Sequence, residues 1–262
     1  MFNKLKAYKI KRMFFNEYSL FILTYIFIVY LFCGVIKGTI GFGMPTVSIS
    51  LLVFLIDIKI IIALILIPTI VVNIYQLSRG GNLIKILKET KFFLLFSTVF
   101  IFPGTYLLNI INSQYIILFI AFVLFINSLL FLTSKTYILP KYKSPFTQSI
   151  IGAINGVIIG LTSIYTMPLI FLLQSFKYNK NTTVQFLGIA FFLYPIVQIL
   201  SFANFNLISL EIIKTSLILL IPIFFGLYIG QKIRRRISET LFQKFFYCML
   251  LVMSFVIIIS LI

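Results

Sequence analysis

The residues best placed to do chemistry form one short run, Lys37-Gly-Thr-Ile-Gly-Phe-Gly-Met-Pro45. Gly38, Gly41 and Gly43 weaken a helix, and Pro45 cannot donate a backbone hydrogen bond. Pro45 suits the first turn of a helix that follows the glycines. That helix would present its free amides, the positive end of its dipole, to whatever lies at the break. Lys37 stands between Val35-Ile36 and the glycines, so an ammonium falls at the same place. Cation and amides together select an anion. Two plainer readings stay open: glycines at such spacing also let helices pack closely, and a lysine can snorkel to an interface.

A second run, Leu161-Thr-Ser-Ile-Tyr-Thr-Met-Pro168, repeats part of this pattern. Aligning the two Met-Pro pairs sets Thr39 on Thr162 and Phe42 on Tyr165. Gln76 follows Pro45 by 31 residues and Gln198 follows Pro168 by 30, each after another proline, Pro68 or Pro195. Thr162, Ser163, Tyr165 and Thr166 offer hydroxyls where the first run has glycines, either for a substrate oxygen or for the backbone of a bent helix. Asn73, Gln76, Gln185 and Gln198 are amides in apolar surroundings, suited to substrate contact or to joining helices.

Other chemistries lack their parts. The chain has no histidine, and Glu17, Asp57, Glu89, Glu211 and Glu239 all fall at or beyond the ends of apolar runs. A buried carboxylate relay, an acid–base pair and a metal cluster are therefore not expected, nor is an enzyme or a cofactor. Cys33 and Cys248 lie in apolar runs without a spacing motif and read as small core residues.

The elements that must position these residues are membrane helices. Of 262 residues 61% are hydrophobic and 10% charged, a composition that suits lipid rather than water. Charge-free runs such as Tyr18–Ile36, Ile60–Ser78 and Gln114–Ser134 match the ~20 residues of one crossing. Ser144–Phe176 is too long for one and must bend, break or return. Tyr18–Ile36 has no small-x-small cleavage site after it, so it is expected to be a retained first helix rather than a signal peptide. The net charge of +17 sits in clusters at Lys4–Arg12, Arg79–Lys91, Lys135–Lys143 and Lys232–Lys244, which is the positive-inside pattern and not a nucleic-acid surface. These clusters place the N-terminus and the Arg79 loop on one face, with an even number of crossings between them. Three apolar runs lie there, so one of them, Gly38–Ile56, is expected to be re-entrant, the alternative being a third full crossing that violates the positive-inside bias at one end.

The expected architecture is an all-α integral membrane protein of about eight spans in two related halves, each with a broken or re-entrant Gly/Pro segment. A basic segment spans 1–17, a first repeat 18–134, a cytoplasmic linker 135–147 and a second repeat 148–262. Repeated halves broken at matching positions are a transporter signature.

At Val35–Leu52, Ala63–Pro68 and Asn73–Gly80 the chain resembles the sulfite exporter TauE/SafE family of bacterial membrane transporters. That family carries a KGxxGFGxP-like segment, an apolar helix, then a Pro…NxxQxxR pattern. Gly152–Pro168 looks like its second glycine-rich segment, with Ile-Tyr-Thr-Met-Pro standing where Gly-Gly-Pro is usual. The resemblance implies a transporter of small sulfur-containing or organic anions, such as sulfite or sulfonates, often outward, in the bacterial inner membrane. The expected site combines Lys37, Gly38, Gly41, Phe42, Gly43, Pro45, Asn73 and Gln76 with Thr162, Ser163, Tyr165, Thr166, Pro168 and Gln198. Its partners are a small anionic substrate and the lipid bilayer, with a homo-oligomer left open. The alternative is a non-transporting accessory protein whose glycine breaks serve helix packing.

Overall fold

The computed structural model describes residues 20–78, 80–133 and 138–261, and every regular element among them is an α-helix. In chain order these are α1 (Leu20–Ile40), α2 (Met44–Leu52), α3 (Ile58–Ser78), α4 (Leu83–Ile110), α5 (Ser113–Leu132), α6 (Pro145–Thr162), α7 (Leu169–Phe176), α8 (Lys180–Asn204), α9 (Leu210–Ile218), α10 (Leu220–Arg234) and α11 (Glu239–Ser260). Eight are long and apolar enough to cross a membrane when α9 and α10 count as one rod, while α2 and α7 are too short. The all-α membrane architecture and the number of spans agree with expectation.

Helix ends follow local chemistry. Asn112, Asn179, Ser209 and Ser238 cap α5, α8, α9 and α11 by accepting hydrogen bonds from first-turn amides. Gly41 and Gly43 have φ of 87° and 92°, a left-handed backbone that favours glycine, and α1 stops there. The chain then doubles back. Cys33 donates to the Met44 carbonyl at 3.5 Å and Tyr25 to that of Leu51 at 3.0 Å, so α2 runs antiparallel beside α1. The long apolar run 144–176 resolves in the same manner. α6 stops at Thr162 and α7 returns to the linker, where Leu139 N–H donates to Ser175 Oγ at 2.8 Å.

Side-chain contacts sort the connections onto two ends. The segments near 80–91, 139–148, 175–185 and 231–238 gather at one end. Gln185 bonds Leu77 and Asn82, Gln148 bonds the Glu89 carbonyl, and Gly38 abuts Gln231. At the other end Lys59 donates to the Asn109 carbonyl, and Tyr106 meets Phe205 at 5.9 Å. The first end carries most of the described lysines and arginines, and we call it the basic end.

One topological expectation needs correcting. α1 lies parallel to α10, so it starts at the far end and finishes at the basic end. α1 runs to the basic end, α2 turns back along it, and α3 then crosses to the basic end again. Leu20 and Ser78 are thus on opposite ends, not the same one. α1 is itself of spanning length, and the segment that turns back is α2 with the glycine turn before it. The physical reason is glycine packing, which a charge count along the chain does not register. The basic segment 1–17, Arg79 and Lys135 lie outside the described residues.

That packing is tight. A Cβ on Gly34 or Gly226 would sit 2.2 Å from the Ile223 carbonyl oxygen or 2.1 Å from that of Leu31, and Gly38 faces Gly230. Two Gly-x-x-x-Gly pairs therefore seat α1 on α10 backbone to backbone. Gly152, Gly156 and Gly160 seat α6 on α4 in the same way, against Phe93, Ser97 and Ile101.

Gly226→Ala should lower the thermal stability of the purified protein by about 1–3 kcal/mol, the usual cost of overpacking. Phe225→Leu, on a side chain 61% exposed, should leave the melting temperature unchanged. Equal melting of the two variants would show that the α1–α10 seam is loose.

Candidate functional site

The seam brings the C-terminal turn of α1 against α3, and there Lys37 is 95% buried. Burying an ammonium costs several kcal/mol unless its protons are bonded. All three are, each at 2.7 Å: to the Gly41 carbonyl, to Asn73 Oδ1 and to Gln76 Oε1. Gln76 Nε2 also donates to Gly41 O at 3.0 Å, and Asn73 Nδ2 to the Thr69 carbonyl, so both amides are held in place. The left-handed turn at Gly41 is what aims its carbonyl back at the lysine. Three neutral oxygens solvate the cation, and no carboxylate touches it among the described residues. The charge is bonded but not neutralised.

α8 closes the other side. The Lys37 ammonium lies 5.7 Å from the centre of the Phe191 ring, within cation–π range. Phe191 in turn contacts Tyr165 at 5.4 Å, and Tyr165 contacts Tyr194 at 5.8 Å. The Tyr165 hydroxyl is buried beside Ser163 and makes no hydrogen bond of ordinary geometry. Aromatic rings thus join the first break to the second.

At the second break Ser163 adopts φ 53° and donates to Gln198 Oε1 at 2.9 Å, while Gln198 Nε2 donates to the Ile159 carbonyl. Thr162 bonds the Ile158 carbonyl and accepts from Ile164 N–H, so its hydroxyl serves the local backbone. Thr166 accepts from Asn127 Nδ2 at 3.1 Å. Phe191 and Gln198 stand seven residues apart on α8, so about 10 Å separates the two clusters along the helix. The sequence-predicted residues therefore form two groups, not one.

Free amides lie at both breaks. Phe42, Gly43 and Thr46 N–H find no backbone acceptor among the described residues, and the same holds for Tyr165, Thr166 and Met167. In an apolar surrounding such groups are costly unless a polar guest meets them. Pro45, in the first turn of α2, contributes no donor. Pro168 is the residue before α7, joined to Met167 by a cis peptide. Of the other expected residues, Phe42 packs edge-on to Phe246 at 6.3 Å, and a Cβ on Gly43 would meet Phe246. Gly38 faces α10 and takes part in packing.

Sequence reasoning missed Phe191, Tyr194, Asn127 and Asn155. Asn155, fully buried on α6, donates to Ser97 and Tyr194, each at 3.3 Å. Asn127 and Asn155 were open to detection as amides within apolar runs. Phe191 was not, being one of 31 phenylalanines.

Eight spans enclosing a buried cation define a polytopic α-helical membrane protein. Residues 26–257 match the Sulfite exporter TauE/SafE family, and the chain belongs to it. That family is one of membrane transporters. No curated protein and no solved structure matches the chain.

Asn73→Leu should strand one ammonium proton and lower stability by about 1.5–3 kcal/mol, the worth of a hydrogen bond to a charged group. Asn73→Asp, which supplies a counter-charge at the same place, should be distinctly more stable than Asn73→Leu. A melting series in detergent checks the order, and the reverse order would mean that the Lys37 amine is held uncharged.

Proposed function

We propose that this protein is a secondary transporter or facilitator of a small anion, sulfite or an organic sulfonate being the preferred class, across the bacterial inner membrane. The observation that carries the reading is Lys37: a buried ammonium, solvated by three neutral carbonyls and facing no carboxylate among the described residues. An anion that displaces one of those oxygens gains a full charge partner in a low-dielectric site, where attraction is strongest. Amides without a backbone acceptor at Phe42, Gly43 and Thr46, in the same break, offer further donors. Ser163, Tyr165 and Gln198 supply a second, uncharged station toward the far end. The concentration of lysine and arginine at one end favours placing that end in the cytoplasm.

In this reading the two halves are copies of one unit. Each runs as a spanning helix, a short returning helix, a proline-containing span and further spans: α1, α2, α3, α4, α5, then α6, α7, α8, α9–α10, α11. The pairings are reciprocal, since α1 seats on α10, α4 on α6, α3 on α8 and α5 on α11. α1 ends at the basic end whereas α6 begins there, so the copies are inserted with opposite polarity. Such inversion puts the two breaks at different depths and suits alternating access.

The glycine seams favour the packing alternative for Gly38 alone. The charge at Lys37 has no packing purpose, because leucine would fill the space without a desolvation cost.

Proteoliposomes loaded with labelled sulfite, methanesulfonate or isethionate test the proposal. Wild type should release at least one of them, and Lys37→Ala should reduce the rate to that of empty liposomes. Asn73→Asp should fold yet transport poorly, because its carboxylate occupies the anion's place. If no anion in a wide panel moves, transport is not the function. If Lys37→Ala releases the anion at the wild-type rate, Lys37 has no part in it.

A further inference from the structure

Away from Lys37, a polar cavity of about 250 Å³ opens at the basic end between the start of α4, the linker before α6 and the α7–α8 connection. Lys85, Lys143 and Lys177 come to it from these three separate segments. Their ammonium groups make no hydrogen bond or ion pair with another described residue, although Glu89 lines the same cavity. Glu89 is instead engaged by Tyr178, whose hydroxyl donates to Oε2 at 2.5 Å. Burial and then the Glu89 carboxylate hold the Tyr178 hydroxyl above its ordinary pKa, so it stays a neutral donor. With one carboxylate against three ammonium groups, the cavity keeps a net charge of about +2 at neutral pH.

Two more features fit an anion. α8 begins at Asn179 and Thr182 in the cavity wall, and its 25 residues set the positive end of a long helix dipole there. Tyr142, Phe176 and Tyr178 form a continuous aromatic group, with rings 5.0 and 4.9 Å apart. Half-buried tyrosines at a helix end mark the headgroup level of a bilayer. Mutual repulsion of three lysines around one cavity is unfavourable while it holds only water, and a phosphate relieves it.

We propose that this cavity binds a phosphate group, carried by an anionic phospholipid at the membrane surface or free as inorganic phosphate. Phosphate oxygens would bridge Lys85, Lys143 and Lys177 and tie α4, the linker and the α7–α8 connection together. The proposal does not depend on the transported anion, since it uses none of the residues around Lys37.

The test measures thermal stabilisation and native mass spectra of the detergent-purified full chain with phosphatidylglycerol, phosphatidylcholine or inorganic phosphate. Wild type should be stabilised by phosphatidylglycerol or by inorganic phosphate, and not by phosphatidylcholine. The triple variant Lys85→Gln, Lys143→Gln, Lys177→Gln should bind roughly 100-fold more weakly, about fivefold for each lysine. The corresponding triple arginine variant should retain binding, which separates lost charge from lost fold. Neutralising Lys232, Arg235 and Arg236, at the same end but outside the cavity, should leave it unchanged. Stabilisation by phosphatidylglycerol alone identifies the lipid as the source, and equal stabilisation by inorganic phosphate identifies the free ion. No stabilisation by either, or equal loss in the Lys232, Arg235 and Arg236 variant, overturns the proposal.

Discussion

The buried Lys37 ammonium and its three carbonyl partners constrain much of what surrounds them. A cation in an apolar interior requires each proton to be met, and the acceptors come from the turn that follows α1 and from α3. Gly41 can turn its carbonyl inward only because the backbone there is left-handed. Asn73 and Gln76 reach the ammonium because they stand on one face of α3, three residues apart. α1 must then penetrate almost to the basic end and stop, and the chain must return as α2.

The seams of the fold serve that geometry. α1 is fixed in depth by glycines that meet the α10 backbone, so Lys37 stands level with Gln76, four residues before Gly80. α3 and α8 lie against each other because Gly188 admits the backbone of Gln76 and Leu77. This contact brings Phe191 over the lysine and carries the aromatic line on to Tyr165 and Tyr194. Packing glycines and site polar groups are distinct sets, and both are needed.

Charge is managed differently at the surface and in the interior. At the basic end lysines and arginines collect where water and headgroups solvate them, and Glu89 is the acidic group lining the cavity there. In the interior Lys37 is the buried lysine among the described residues, and the three oxygens bonded to it are neutral. An uncompensated charge is tolerated only if bonding and a polar guest offset its desolvation. This is also the condition for binding an anion reversibly, since a permanent carboxylate would take its place.

The sequence by itself determined the class, the spans and the address of the first break. These depend on composition, run length and glycine–proline placement, all of them local properties. It also singled out Lys37, Asn73, Gln76, Ser163 and Gln198, because polar atoms within lipid-length apolar runs must have a purpose. Only the tertiary structure decided which of them meet. Lys37 joined Asn73 and Gln76, Ser163 joined Gln198, and Gly38 turned to packing. The direction of α1 was likewise invisible along the chain, because charge counting does not sense which helix a glycine stripe will face. Phe191 entered the site for the same reason: the ring over a lysine is chosen by helix contact across 154 residues of chain, and nothing near Phe191 in sequence marks it.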